Sequence, residues 1–325
     1  MISYKSLRGL WSKQPPPKGE GFGRYLMNTY VLYHANCVDG LGSRLAAWLA
    51  LKDTAFYLPV DYHKPIPTIP DGSEVYILDF SYPRDVLEAM NARMSKLLVL
   101  DHHKTARDAL EGLPYAKFDM DKSGAGLAWE YFHPGVPLPD LIARIQDRDL
   151  WKFAFPDTKA VHPGIISAIS RAGGTDDVSV LEPYLRDVSE LASLGEGGLA
   201  FKEAIIQTYI REGRYLARRF TANGNRYNIA VVNCSPVLSS DLCSAILTDL
   251  DGRVDFAVAY AIADDGAVCL SLRSLGMDST ALGRDLQAQY GQGMRPGGGH
   301  PAASGWTVHL SWLTSVYLWF EEDDL

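Results

Sequence analysis

Leu97-Leu98-Val99-Leu100-Asp101-His102-His103 is the stretch on which the fold turns. An unbroken apolar run ends at one carboxylate and two imidazoles. The run has the length and composition of a strand buried on both faces, the habit of a parallel sheet covered by helices. Open α/β sheets bind ligands beyond the carboxyl ends of their strands. Asp101, His102 and His103 would stand at that edge, and such a trio suits a divalent cation. The bland alternative is an N-cap aspartate followed by two solvated histidines. Two histidines weaken it, and further strand ends of the same kind weaken it more.

Such ends occur upstream. Tyr30-Val31-Leu32-Tyr33 reads as a short strand. The polar loop His34-Ala35-Asn36-Cys37-Val38-Asp39-Gly40 follows, then a helix over 41–51 with Leu41, Leu45, Trp48 and Leu49 on one face. His34, Cys37 and Asp39 all carry ligand atoms, although Asp-Gly is first of all a turn. Val75-Tyr76-Ile77-Leu78 is another buried-type strand, ended by Asp79, and Pro83 opens a helix to about residue 94. This alternation predicts a parallel, right-handed wound sheet. Ser123 begins a helix over 123–132. An apolar helical turn over 141–146 runs into Asp147-Arg148-Asp149-Leu150-Trp151, which alone reads as a surface ion-pair cluster.

Residues 160–200 look short and helical, with Gly195-Glu196-Gly197-Gly198 as a break. Phe201, Ile205, Tyr209, Leu216 and Phe220 then mark one face of a long helix. Its other side carries Lys202, Arg211, Arg214, Arg218 and Arg219, and Asn223-Gly224-Asn225 ends it. Strands over 228–232, 254–261 and 268–272 and helices over 241–250 and 281–290 make a second α/β region, with Asp264-Asp265-Gly266 as a hairpin turn. Arg273-Ser274 stands at a strand end. In Arg295-Pro296-Gly297-Gly298-Gly299-His300-Pro301, three glycines would let backbone amides approach an anion, with Arg295 and His300 as flanking donors. The fold expected is α/β and bilobed. An arm over 1–26, with Gln14-Pro15-Pro16-Pro17-Lys18-Gly19, precedes a parallel-sheet domain over 27–185. A helical connector over 186–222 leads to a smaller mixed-sheet domain over 223–325.

Composition sets limits. A chain of 325 residues, 47% hydrophobic and 22% charged, suits a soluble globular protein with two cores. The net charge of -8 argues against a basic groove for long duplex DNA, but leaves room for a local pocket for a short oligonucleotide. Four cysteines without CxxC spacing, behind no secretion signal, read as reduced thiols in a cytoplasm. No apolar run reaches the length of a membrane span. His63, His133, His162 and His309 have no motif partners and read as surface or packing residues. Trp306 and the aromatic tail over 312–320 read as core of the second lobe, and residues 321–324 as a solvated acidic end.

The ordered set His34-x-x-Cys37-x-Asp39-Gly40, Asp79, Asp101-His102-His103, Asp147, Arg273-Ser274 and Gly297-Gly298-Gly299-His300 resembles the DHH phosphoesterase superfamily with its C-terminal DHHA1 domain. The resemblance runs from about Tyr30 to Trp306. Tyr33-His34-x-Asn36 and Asp147-Arg148-Asp149-Leu150-Trp151 are most similar to nanoRNase-like oligoribonucleases. The resemblance implies two divalent metal ions, usually manganese, with magnesium, cobalt or zinc as alternatives. It implies that His34 binds the first metal and Asp39 the second, with Asp79 bridging. His102 and Asp147 would complete the second site, Asp149 being the lesser candidate for the place of Asp147. His103 would sit beside the scissile phosphate and Asp101 would orient the histidines. Arg273, Ser274, Gly297, Gly298, Gly299 and His300 would hold the phosphate or terminal nucleotide.

The activity so implied is hydrolysis of a phosphodiester by a metal-activated water, in a monomer or homodimer acting on short single-stranded oligonucleotides or small nucleotides. Phosphatase action on 3'-phosphoadenosine 5'-phosphate and hydrolysis of cyclic or linear dinucleotides use the same motifs. Cys37 departs from the pattern, since many members carry an aspartate ligand of the first metal there. A thiolate favours zinc or iron over magnesium or manganese. Cys37 as ligand of a softer metal, as a bystander, or as the mark of a nucleotide-binding protein that has lost hydrolysis are three readings left open. The presence of every other motif residue favours a working site.

Overall fold

The computed structural model describes residues 28–62, 64–174, 177–294 and 297–318. The arm over 1–26, His63, Arg295, the last aromatic residues and the acidic end lie outside the described residues. Five strands form the first sheet: β1 (Thr29–His34), β2 (Ala55–Val60), β3 (Glu74–Leu78), β4 (Lys96–Asp101) and β5 (Ala116–Phe118). They run in the order β2-β1-β3-β4-β5, and every pairing is parallel. The chain leaves β1 for β2 on one side and returns to β3 on the other. The carboxyl ends of β1 and β3 therefore open the crevice that a reversal of strand order creates.

The strands of this sheet are apolar because both faces are covered. Leu98 and Leu100 of β4 pack with Leu45, Leu127 and Ile145 from α1 (Val38–Leu51), α4 (Gly124–Phe132) and α5 (Asp140–Asp149). Leu97 and Val99 turn the other way, toward Leu87 and Met90 of α2 (Arg84–Asn91). Alternation to two cores is what a two-sided strand requires. β2, which carries Pro59, occupies an edge, where a missing amide is tolerated. A short helix α3 (Lys104–Ala109) follows His103.

Two helices, α6 (Thr158–Arg171) and α7 (Ser189–Arg211), pack along each other. The break expected at Gly195-Glu196-Gly197-Gly198 does not occur, since α7 runs straight through it. A Cβ on Gly195 would lie 1.9 Å from the carbonyl oxygen of Ala160, and one on Gly164 would lie 1.9 Å from that of Leu191. These glycines let the two backbones touch. At its other end α7 stops at Arg211, so the long helix expected to 222 is also corrected. Residues Leu216–Ala222 form a strand, β6, in which Arg218, Phe220 and Ala222 are buried while Arg219 and Thr221 are exposed. Asn223 (φ 50°) and Gly224 (φ 82°) make the tight hairpin from β6 to β7 (Asn225–Asn233). Two successive positive φ values are the signature of that turn.

The second sheet adds β8 (Phe256–Ile262), β9 (Val268–Arg273), β10 (Gly298–His300) and β11 (Ala303–Val308), in the order β10-β11-β9-β8-β7-β6. Only β7 and β8 pair in parallel, so the sheet is mixed. α8 (Pro236–Leu250) covers one face through Leu242, Cys243 and Ile246. α9 (Ser279–Tyr290) and α10 (Ser311–Leu318) cover the other, around Leu282, Leu286, Trp306 and Trp312. Both tryptophans are core residues, as expected, and Asp264-Asp265-Gly266 turns β8 into β9. The architecture is thus bilobed α/β. No helix among the described residues is long and apolar enough to cross a membrane.

The helix pair generates a test. Gly195→Ala must push α6 and α7 apart and is expected to cost about 1–3 kcal/mol. Gly197, on the same helix, is exposed with nothing within 4 Å of its would-be Cβ, so Gly197→Ala is expected to add about 0.5–1 kcal/mol. Urea unfolding of both variants distinguishes a close crossing from a helix break, which would make both changes stabilising.

Candidate metal centre

Three neighbouring strand ends deliver the site. β1 ends at His34, β3 is followed by Asp79, and β4 runs into Asp101, His102 and His103. Asp79 turns sharply off its strand at φ 55°, with its amide still bonded to the Leu100 carbonyl at 2.9 Å. Its carboxylate is 1% exposed, and neither oxygen has a hydrogen bond. A buried carboxylate in that state lacks the partner that native interiors supply. Oδ2 lies 3.5 Å from His34 Nδ1, also without a hydrogen bond, and Oδ1 lies 3.2 Å from His102 Nε2. Gly124 at the start of α4 makes room, because a Cβ there would sit 2.4 Å from that of Asp79.

Asp79 stands between two groups. On one side the ligand atoms of His34, Cys37 and Asp79 lie within 4.8 Å of one another. On the other, Asp39 and Asp149 approach His102 Nε2 at 3.7 and 3.4 Å. Asp39, in the first turn of α1, is held by the α4 amides of Gly124 (2.6 Å) and Ala125 (3.1 Å). These residues fit a pair of divalent cations sharing Asp79: acidic oxygens, imidazoles and a sulfur converge, and the central carboxylate makes no hydrogen bond.

Asp101 is bonded to both histidines that follow it. Its Oδ1 accepts from the amides of His102 (2.7 Å) and His103 (3.3 Å) and from His103 Nδ1 (2.6 Å), while Oδ2 accepts from Ser81 Oγ (2.6 Å). A carboxylate only accepts, so His103 Nδ1 carries the proton and Nε2 is left for another partner. Ser81 has no motif signal in the sequence.

Asp147 is not in the cluster. Its carboxylate accepts from the amides of Ala154 (2.8 Å) and Phe155 (3.2 Å) and from Thr158 Oγ1 (2.6 Å), which ties down the turn after α5. Asp149 takes its place at His102. Positions two apart on a helix face different ways. Asp149, four positions after Ile145 and seven after Ile142, shares their side of the helix, whereas Asp147 lies on another side and is itself buried. Arg148 pairs with neither neighbour, since its Nη2 reaches Asp241 of α8 at 2.9 and 3.0 Å, where Lys202 of α7 joins at 2.8 Å.

From the second lobe, His300 stacks on His103 with ring centroids 5.0 Å apart and lies 4.6 Å from His102. Its Nε2 is buried and unpartnered. Burial, then the two neighbouring histidines, push this ring down to about 3. Arg273 donates to Ser240 Oγ at 2.5 Å, and its guanidinium carbon lies 5.1 Å from the Trp151 ring centre, with Nε buried and unpartnered. Ser274 closes its own loop, accepting from Gly276 (3.3 Å) and Met277 (2.8 Å), and is not brought to the cluster. The glycine run is not the expected anion cradle. Gly298 and Gly299 belong to β10, and the Gly297 amide is taken by Gln287 Oε1 at 3.2 Å. The Gly299 amide donates to Thr105 Oγ1 of α3 at 3.1 Å, and a Cβ on Gly298 would lie 2.4 Å from the same oxygen. Here glycine serves a tight seam between lobes, reinforced by Lys104 Nζ on Asp278 at 2.7 Å.

The electrostatics follow from crowding. Burial, with Asp79 adding to it, pushes Asp39 and Asp149 above the usual carboxylate range. Asp79 is held below that range in spite of its burial, because His102 and His34 face it. Burial lowers His102, but Asp79, Asp149 and Asp39 outweigh it and raise the ring to about 10.

No family model matches the chain. An uncharacterized protein of Acanthamoeba polyphaga mimivirus is 29% identical over 312 residues, covering 89% of this chain and 69% of that protein. A solved structure of an uncharacterized Helicobacter pylori protein aligns over 87% of this chain and 93% of that one, at 15% identity and a TM-score of 0.42.

The raised His102 sets a pH dependence. A folded pKa above the unfolded 6.5 stabilises fully below that pH, and the contribution fades as pH climbs toward about 10. With a chelator present, the urea midpoint is expected to fall steadily between about pH 6.5 and 9, at up to about 1.4 kcal/mol per pH unit for one proton. His102→Asn should flatten that slope. An unchanged slope would remove His102 as its source.

Proposed function

We propose that the chain is a phosphodiesterase that uses two divalent cations to hydrolyse short oligonucleotides, or small nucleotide phosphoesters, to mononucleotides. The observation that carries this reading is Asp79, a buried carboxylate with no hydrogen bond to either oxygen, faced by the imidazoles of His34 and His102 and standing between a His34/Cys37 group and an Asp39/His102/Asp149 group. Membership of the DHH phosphoesterase superfamily belongs to the same proposal, supported by the convergence of His34, Asp39, Asp79 and the Asp101-His102-His103 run at one sheet edge. Cations held there, manganese first among magnesium, cobalt and zinc, would polarise the phosphate and activate the attacking water.

The chain's own side chains divide the remaining work. Asp101 fixes the His103 ring so that Nε2 can meet a phosphate oxygen or pass a proton. Arg273 and His300 approach from the second lobe, and the guanidinium is suited to charge that develops on phosphate. A cleft of about 720 Å³ between α7 and α8 is lined by Arg148, Trp151, Phe153, Lys159, Lys202 and Asp241, and holds none of the cluster's own residues.

The test is hydrolysis by purified protein of two- to five-residue RNA and DNA, 3'-phosphoadenosine 5'-phosphate and cyclic dinucleotides. Each is run with manganese, magnesium, cobalt, zinc or chelator. Metal-dependent release of mononucleotide is expected, with kcat reduced at least about 100-fold in Asp79→Asn and His102→Ala. Asp149→Asn should act on kcat, whereas Asp147→Asn should mainly lower the unfolding midpoint. Absence of turnover with every metal would overturn the reading.

A further inference from the structure

Cys37 occupies the N-cap of α1, where an oxygen-bearing side chain ordinarily accepts an amide hydrogen. Its sulfur faces the amide of Gly40 in the first turn, a soft acceptor in place of the usual oxygen, and the Cys37 carbonyl accepts the first helical bond from Leu41 at 3.0 Å. The turn before it is left-handed at Asn36 (φ 57°). Gly40 lets α1 close over that loop, since a Cβ there would lie 2.2 Å from the His34 carbonyl oxygen. The outcome is a sulfur held within 4.8 Å of the ligand atoms of His34 and Asp79. The second observation is the state of those partners: His34 Nδ1 and both oxygens of the 1% exposed Asp79 are buried without hydrogen bonds.

The two halves of the centre differ in chemistry. The His34 side offers sulfur, nitrogen and oxygen. The His102 side offers one nitrogen and the oxygens of Asp39, Asp149 and Asp79. Sulfur and imidazole suit zinc(II) or iron(II), whereas oxygen-rich sets suit manganese or magnesium. We propose that the centre holds an unlike pair of cations, a thiophilic ion bound by Cys37, His34 and Asp79 beside a harder ion bound by Asp79, Asp39, His102 and Asp149. The proposal rests on the two-cation reading given above. When the thiophilic ion binds, the Cys37 S–H bond breaks, its proton passes to solvent and the sulfur–metal bond forms, with no change of oxidation state.

Cobalt(II) is the probe, because its thiolate complexes absorb strongly in the near ultraviolet through sulfur-to-metal charge transfer. Chelator-treated full-length protein is titrated with cobalt while absorbance and bound metal are followed. One charge-transfer band saturating at one ion per chain is expected, lost in Cys37→Ser and kept in Cys234→Ser. Serine is a good N-cap, so Cys37→Ser retains α1, and circular dichroism checks it. Zinc should bleach the band, and manganese at tenfold excess should not. In Cys37→Asp the zinc-over-manganese preference should fall at least tenfold.

Cobalt bound without the band, a band that survives Cys37→Ser, or displacement by manganese as ready as by zinc would each overturn the unlike pair. Hydrolysis without the band removes the thiolate ligand and leaves the phosphodiesterase reading intact. The band without hydrolysis does the reverse. Absence of bound cobalt overturns both.

Discussion

Negative charge held away from water is the constraint around which this molecule is arranged. Asp39, Asp79 and Asp149 converge on a single imidazole nitrogen in a crevice from which Asp79 and His102 see almost no solvent. Such a concentration of carboxylates is unfavourable on its own, and burial deepens the penalty. The chain offsets part of it with its own groups. The amides at the start of α4 bond Asp39, and His102 carries a proton that the surrounding carboxylates hold in place. Asp79 has the imidazoles of His34 and His102 at 3.5 and 3.2 Å as its neighbours of opposite charge, with no well-formed hydrogen bond to either of its oxygens.

The parallel sheet makes that concentration achievable. Because β1, β3 and β4 are neighbours and run the same way, three strand ends bring their next residues to one line without any long loop. The strand order reverses between β2 and β3, around β1, so no crossing helix covers that line. Around this edge glycine is used at close contacts. Gly40 lets α1 approach His34, Gly124 lets α4 approach Asp79, and Gly298 lets β10 approach α3.

How much of this was legible in the sequence depends on whether a signal was local. The strands β1, β3 and β4 could be read because both their faces are buried and their runs are unbroken, and His34, Asp79 and Asp101 to His103 could be placed because they end those runs. β6 could not, since Leu216, Phe220 and the arginines between them satisfy a helical spacing as well as an alternating one, and only pairing with β7 decides. Gly195 looked like a break because glycine weakens an isolated helix, whereas here α6 requires it. The choice between Asp147 and Asp149 turned on which face of α5 meets the sheet. The glycine run before His300 pointed to an anion, but its amides are spent on Gln287 and Thr105, a partner 194 positions from Gly299.

The seam between the lobes is anchored by the two residues that follow His103. Lys104 reaches Asp278 and Thr105 meets Gly299, while one residue further along β10 the ring of His300 lies on His103. The edge of the cluster and the seam between the lobes are therefore one short piece of chain. Separating the lobes would strip His103 of its stacking partner and free the start of α3 in the same movement. Any change that parts the lobes therefore also removes one wall of the cluster, so the contact between the lobes and the packing of the histidines stand or fall together.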